Sequence, residues 1–562
     1  NDAVIITNVW YVQTSNISIK GFTFTGNARI RQYGKEGDPN TKNFVFENNY
    51  VVNTTAATIA WKQDAYASYG TTEKNNTTIP GFISLAPNSI WILDTKIVNN
   101  KFENVSDTNV LLLSVAGVTI SGNIFKGSDR DAIRFDYTST YGYIDIFNNI
   151  FEDIKYNGIY IRSYGFQYGT PTIFTIEKNT FKNIGEASLT ETPSHARIGA
   201  ITASRFSEKN SASFTIRFNT FVDNYNYITL RINVTKSTWE ASGLTWDATI
   251  KYNAFIDSNG VDYYVRNLVA SNDTTETNLN NILIDNNFYG IDENTKATIE
   301  NKQFDHHLVD QSNKTVYNSY QELLQAIADY EDFIKPIVVD SNLVEVENGT
   351  KVTYDGVELE VGKHAFANFK DAINKSVSGK TIYVKPGEYT FDTVTITVNN
   401  LTIYGPNANI DPNTKTRKDE ALIYGIIIVG EGVKNLTING LSFTYHQSKS
   451  YIAGHENGMI EGFTFAYNII DTASDAVPGG SEGQVKFKQA SQEKGIKDFT
   501  FAYNQFLNAK SDRAIRLAYI ENLTVIGNKF TNTYDAIRCN DNNGSVSGKL
   551  IVKDNTFDGI LQ

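Results

Sequence analysis

The sequence predicts an all-β fold: a right-handed parallel β-helix (solenoid) in two tandem modules, joined by a small α/β linker with capping helices. Three observations predict it. The triplet Asn-x-Phe recurs ten times, starting at Asn100, Asn123, Asn149, Asn179, Asn219, Asn253 and Asn286, then at Asn504, Asn528 and Asn555. The spacings are 23, 26, 30, 40, 34 and 33 in the first group, then 24 and 27 in the second. Between the triplets the chain alternates apolar and polar residues over short stretches with no helical period. A repeat with a floor near 23 residues and a variable excess is one structural unit with loops spliced into it.

One repeat, Gly117 to Phe135, shows the logic. Val118-Thr-Ile120 alternates as a half-buried strand does. Gly122, Asn123 and Phe125 follow as a turn and a second short extended piece. Asp131-Ala-Ile-Arg-Phe135 alternates again, with Ile133 and Phe135 on one face and Arg134 on the other. Three strands in so few residues fit one coil, each strand pairing with its equivalent ~4.8 Å away. An Asn stacked on its own copy can run an amide ladder along the axis and satisfy buried turn groups. Asn also tolerates the left-handed backbone of a sharp turn. The Phe two positions later points inward and stacks on its copies. These ten Asn are therefore read as scaffold.

The chain has 562 residues, 12% aromatic with 32 Tyr and 33 Phe, which is enough for a long stacked core. The net charge of −12 argues against a nucleic-acid partner, which needs a basic face. Cys539 is the single cysteine, so no intramolecular disulfide forms. The longest apolar window, Val110 to Ile120, is too short for a membrane span. An acidic, nearly thiol-free, Tyr/Asn/Thr-rich solenoid suits a bacterial exterior.

A longer period is superimposed. Gly117-Val-Thr-Ile-Ser-Gly-Asn123 matches Asn522-Leu-Thr-Val-Ile-Gly-Asn528, Asp131-Ala-Ile-Arg134 matches Asp535-Ala-Ile-Arg538, and Asn16-Ile-Ser-Ile-Lys-Gly21 matches Asn435-Leu-Thr-Ile-Asn-Gly440. On this register both ends of the chain fall inside modules, so the sequence is expected to be a piece of a longer tandem array. Module 1 spans 1–304 and module 2 spans 365–562. The linker 305–364 carries a helix over 319–334, opened by the capping box Ser319-Tyr-Gln-Glu322 and stopped by Pro336. A second helix, 366–377, is expected to cover the open end of the next core. Lys380 to Tyr389 then opens the second solenoid.

Ala365-Phe-Ala-Asn-Phe-Lys-Asp-Ala-Ile373, Gly379-Lys-Thr-Ile-Tyr-Val-Lys-Pro-Gly-Glu-Tyr389 and Asn400-Leu-Thr-Ile-Tyr-Gly405 together resemble the opening segment of pectate-lyase-like β-helix domains. The Asn-x-Phe coils resemble the repeats of the same superfamily. The resemblance implies the fold. It leaves function open among polysaccharide lyases, glycoside hydrolases, phage tailspikes and non-catalytic bacterial surface proteins.

The Gly-His-Gly and Arg-Ile-Lys segments that the resemblance implies for a polygalacturonase-type hydrolase do not stand here; His455 sits in Ala-Gly-His-Glu-Asn-Gly. A lyase-type site needs an acidic calcium cluster and a nearby Arg or Lys as base. The best candidates for such a site are Asp131, Arg134 and Asp136, with Arg134 and Asp136 on the outward face of one strand. Asp512-Arg513 with Arg516, and Asp535 with Arg538, repeat the idea. Recurrence in neighbouring coils favours a turn cap and a solvated ion pair over a unique catalytic centre. His306-His307 lack a third ligand, so no metal site is assigned, although calcium is possible. Cys539 takes the place of Phe135 and is expected to point inward and be inert.

Loops spliced into successive coils emerge on one side of a solenoid and can wall a groove. They carry Tyr66, Tyr69, Tyr164, Phe166, Tyr168, Trp239 and Trp246, rings suited to stacking on sugars. The leading expectation is a non-catalytic extracellular segment of a large repetitive surface or matrix protein, structural or adhesive, with a glycan or further copies as partner. The alternatives are a polysaccharide lyase or glycoside hydrolase, and a self-assembling filament or coat.

Overall fold

The computed structural model describes residues 4–12, 15–32, 40–55, 83–85, 91–112, 115–135, 141–163, 172–189, 198–205, 212–232, 246–261, 264–269, 281–297, 316–444, 451–456, 458–472, 483–489, 491, 494–510, 513–539 and 546–560. The chain forms two compact units, Asn1–Asp329 and Tyr330–Gln562. The fold is an all-β right-handed parallel β-helix.

Unit 1 is built from three parallel sheets. Sheet 1 has 11 strands, from Ile5–Ile6 to Val316–Tyr317; sheet 2 has 10, including Ile17–Lys20 and Asn281–Asp285; sheet 3 has 9, from Val9–Val12 to Val265–Val269. One coil visits each in turn. Val115–Ser121 lies in sheet 2, Ile124–Lys126 in sheet 1 and Ile133–Phe135 in sheet 3, before Tyr141–Phe147 returns to sheet 2. Among the described residues the strands pair in parallel with their copies one coil away, as in Phe102↔Phe125, Phe125↔Phe151 and Phe151↔Phe181, with bulges at Phe24/Gly26 and Ala116/Val118.

The register is held by a buried amide ladder at the corner between sheets 2 and 1. The Asn100 main-chain N–H and its Nδ2 both donate to Asn123 Oδ1, at 2.8 and 2.9 Å. Asn123 does the same to Asn149, and the chain of bonds continues through Asn179, Asn219 and Asn253. Each Nδ2 also reaches a strand carbonyl of the preceding coil, as Asn123 does to Ile97 O at 2.8 Å. The amide groups are thus fully used, and they are buried. Beside them runs a ring column: Phe125–Phe151, Phe151–Phe181 and Phe221–Phe255 stack at 5.1, 4.7 and 4.9 Å with interplanar angles of 9°, 2° and 5°. Burial of a Phe in such a column is worth ~1.5–3 kcal/mol before the stacking contribution.

The structure corrects the sequence reading in three details of this ladder. The left-handed residue is not the ladder Asn but the one before it: Asn99, Asn148, Lys178, Phe218 and Tyr252 take φ of 55°, 55°, 56°, 59° and 57°. The ladder starts earlier, at Asn49, whose ring slot holds Val51 instead of Phe. In the last coil it passes through Asn287, not Asn286: Asn253 N–H donates to Asn287 Oδ1 at 2.8 Å, and Asn286 is the left-handed corner. Tyr289 accordingly stacks on Phe255 at 5.2 Å, and Phe288 faces outward. The reason is the helix Tyr320–Ile334. It lays Leu323 on Ala254, Ile256 and Phe288, on the outer face of sheet 1, so this coil buries a residue on both faces. The Ser319 Oγ and Glu322 carboxylate cap that helix, accepting from Glu322 N and Asn318 N.

Unit 2 repeats the scheme with a difference at its start. The parallel sheet begins at Ile337–Val339, which pairs with Thr381–Val384, so it opens before Lys380. An antiparallel hairpin, Lys351–Tyr354 with Val357–Glu360, lies between. The second helix is Phe369–Lys375, shorter than expected, with Asn368 as its N-cap. It buries Phe369, Ala372 and Ile373 in the core, and Phe369 stacks on Phe391 at 5.4 Å. Long strands Gly387–Ile396 and Ala421–Val429 pair with each other; the second then divides its partners between Ser442–Thr444 and Ile452–Gly454. Downstream the amide ladder runs through Asn468, Asn504, Asn528 and Asn555. Asn468 is followed by Ile470 in the ring slot, whereas Phe506, Phe530 and Phe557 stack at 5.0 and 5.3 Å.

His364, 4% exposed, donates from Nε2 to Asp332 at 3.1 Å, and Lys363 Nζ meets the other oxygen of Asp332 at 2.8 Å. His364 Nδ1 has no hydrogen-bond partner among the described residues. Burial lowers the His364 pKa, opposed by Asp332 and assisted by Lys335 and Lys363.

Two predictions follow from these contacts. Asn149→Ala removes an acceptor of two bonds and the donor of three, and is expected to cost about 2–4 kcal/mol in denaturant unfolding; Asn148→Gly, at the corner, is expected to be neutral within about 0.5 kcal/mol. The unfolded His364 binds its proton more tightly than the folded one. The contribution of His364 to unit 2 stability is therefore fully present above about pH 6.5 and is lost as pH falls from there through the lowered folded value. A pH series of thermal melts checks this, with His364→Gln expected to flatten the decline.

Candidate functional site

The outer face of sheet 3 in unit 1 carries the sequence's acid–base candidates. Register places Arg134, Tyr160, Thr202, Thr229 and Arg266 in one outward column. Ile133 and Phe135 flank Arg134 and point into the core, as strand alternation requires. Arg134 and Arg266 are partly exposed; Tyr160, Thr202 and Thr229 are buried.

Asp131 sits at the turn entering this sheet and is 3% exposed. Its Oδ1 accepts the Asn157 Nδ2 at 2.7 Å and the Asn157 main-chain N–H at 3.2 Å. Its Oδ2 accepts from Arg134 Nη1 at 3.4 Å. Asn157 Oδ1 in turn accepts the Gly199 N–H, so the carboxylate heads a second coil-to-coil chain of bonds. The Arg134 guanidinium stands 5.2 Å from the centre of the Tyr160 ring, one coil on. In unit 2, Asp535 Oδ2 lies 3.1 Å from Arg513 Nε and 3.6 Å from Arg538 Nη1. Both aspartates are thus bonded across coils. A general base needs an oxygen facing the substrate proton, and both Asp131 oxygens face scaffold partners.

Asp136, Asp512, His306 and His307 lie outside the described residues, as do Tyr66, Tyr69, Tyr164, Phe166, Tyr168 and Trp239. Trp246 opens the strand Trp246–Lys251. Among the described residues, no three His, Cys, Asp or Glu side chains gather as metal ligands. No helix among them is long and apolar enough to cross a membrane.

Sequence reasoning missed a feature of the first turn in unit 1. Gly21, Asn48, Asn99 and Gly122 are successive left-handed or glycine corners there, and together with Phe22, Tyr50 and Lys101 they line an open trough of about 360 Å³. The signal available was the Asn pairs Asn48-Asn49 and Asn99-Asn100, in which the second Asn is the ladder and the first is the surface corner. On the neighbouring sheet 1 surface, the Tyr50 hydroxyl donates to Glu103 at 2.5 Å and Lys101 pairs with the same carboxylate at 2.8 Å. Hydrogen bonds from Lys101 and then Tyr50 hold the Glu103 carboxyl below its ordinary pKa.

Cys539 packs against the core of unit 2, and burial pushes its thiol up to about 11.

No family model matches the chain, and no curated protein does. Among solved structures the chain is similar to the PL6 family alginate lyase AlyGC, at 13% identity over 99% of this chain and 86% of that one, with a TM-score of 0.24. It is also similar to the tailspike protein of E. coli bacteriophage HK620 in complex with pentasaccharide, at 9% identity over 99% of this chain and 72% of that one, with a TM-score of 0.17. At those scores the likeness adds nothing to the site; the parallel β-helix rests on the chain's own strand pairing.

A thiol with a pKa near 11 is ionised in about one molecule per thousand at pH 8. Iodoacetamide is therefore expected to label Cys539 at least tenfold more slowly in the native protein than in urea, read by intact mass.

Proposed function

We propose that this chain is a non-catalytic extracellular β-solenoid of a bacterial cell-surface or matrix protein, structural and adhesive, with a glycan as its partner. The observation that carries this reading is the employment of Asp131. Both oxygens of the best acid–base candidate are bonded to scaffold, to Asn157 and to Arg134. Asp535 Oδ2 is likewise held between Arg513 and Arg538. A residue pattern that recurs for coil-to-coil cohesion fits a rod better than a single reaction centre. Ion pairs such as Lys20–Glu47, Lys126–Glu152 and Arg217–Glu177 neutralise surface charge locally. Such pairs offer an uncharged partner locally neutral ground, while the overall −12 charge disfavours an anionic one.

The test is direct. The protein is incubated with a panel of uronic-acid polymers, with and without calcium, while absorbance of the unsaturated product is followed. A flat trace is expected, together with retention on a glycan array. Turnover that disappears in Arg134→Ala would establish a polysaccharide lyase instead. Chelator-dependent change in sedimentation would indicate calcium-bridged self-assembly.

A further inference from the structure

We propose that the first-turn trough of unit 1 is a binding subsite for a neutral pyranose, resting on the glycan-binding reading above. At several corner columns elsewhere in the two units, side chains on adjacent coils bond to each other. Asn43 Nδ2 donates to Asn16 Oδ1 at 2.7 Å, Asn104 to Asn53 at 3.2 Å, Asn435 to Asn400 at 2.8 Å and Asn522 to Asp498 at 2.7 Å. Asn48 and Asn99 occupy adjacent corners by the same register, Tyr50↔Lys101. Yet neither side-chain amide has a hydrogen-bond partner among the described residues. Both are exposed and line the trough. Two adjacent amides present donors and acceptors about one coil, ~4.8 Å, apart, a separation that matches hydroxyls on a sugar ring or on neighbouring rings.

The rest of the trough suits a sugar face. Tyr50 is held by its bond to Glu103 and by Lys101, whose Nζ stands 5.0 Å from the ring centre on one side. A ring already fixed loses little freedom on binding. At Gly122, with φ of 66°, the absent Cβ leaves room for Asn99 Oδ1, which would lie 2.2 Å from it, so Asn99 leans across the next corner. Lys101 is neutralised by Glu103, so the trough offers no free charge to a uronate. The ligand class is therefore a neutral hexopyranoside, bound weakly by a single subsite.

The corner backbone makes the test clean. Asn48 and Asn99 have φ of 55°, a conformation glycine adopts freely at Gly21 and Gly122 in the same column. The double variant Asn48→Gly/Asn99→Gly removes both amides and leaves the ladder residues Asn49 and Asn100 in place. The full chain is screened on an array of neutral and acidic glycans, and the best neutral binder is titrated by calorimetry. The double variant and Tyr50→Ala are each expected to lose at least tenfold in affinity. Asn148→Gly, a corner of the same column outside the trough, is expected to bind as the parent does, and melting temperatures of the glycine variants are expected to be unchanged. Undiminished affinity in both trough variants, or binding to acidic glycans alone, overturns the subsite and leaves glycan binding elsewhere on the chain. Binding to no glycan at all overturns both.

Discussion

The structure depends on one interaction, the hydrogen bond from each ladder amide and its main-chain N–H to the Asn oxygen of the next coil. A parallel coil turned this sharply leaves main-chain groups buried at the corner, and an unpaired buried group costs ~1–3 kcal/mol. The Asn side chain satisfies them on two coils at once. It also fixes register. Sliding a strand by one residue would move its apolar set to the outer face and break every bond of the ladder together. The ring column and the three-sheet outline of unit 1 are consequences of that register.

Much of this was legible because each coil poses the same chemical problem. Wherever a buried corner meets a wide core, Asn followed two residues later by Phe solves it, and the triplet repeats. Asn49 and Asn468 escaped the pattern because Val51 and Ile470 fill the ring slot, which needs volume but not aromaticity. Asn286 was misassigned because two Asn are adjacent and Phe288 is drawn outward by Leu323, a contact between segments far apart in sequence. The left-handed corners were not legible at all. Lys178, Phe218, Tyr252, Tyr467 and Tyr503 hold positive φ there against their own preference. The surrounding ladder sets the backbone, and the residue type follows from packing: Tyr467 stacks on Tyr503 at 5.2 Å, and Phe218 on Tyr252 at 5.7 Å.

The candidate chemistry was legible as residues but not as roles. Asp131, Arg134 and Asp136 were visible as candidates, with Arg134 and Asp136 read as outward, and the turn geometry commits the Asp131 carboxylate to Asn157, 26 residues later. Corner amides were the reverse case. Asn48 and Asn99 drew no attention in the sequence, and the structure shows them as adjacent corners whose amides have no hydrogen-bond partner among the described residues. In a repetitive protein an exceptional residue stands out by a bond that counterparts at other corners make and it does not.

The ladder bonds are indifferent to the length of chain between their partners. Asn49 and Asn100 are 51 residues apart, Asn100 and Asn123 only 23, and Asn179 and Asn219 40, yet the bonds measure 2.9, 2.8 and 3.0 Å. Cohesion is axial, while sequence divergence enters sideways. Such a scaffold can acquire, lengthen or exchange a surface segment at any rung without renegotiating its interior, so the surface of this protein is free to evolve faster than the architecture beneath it.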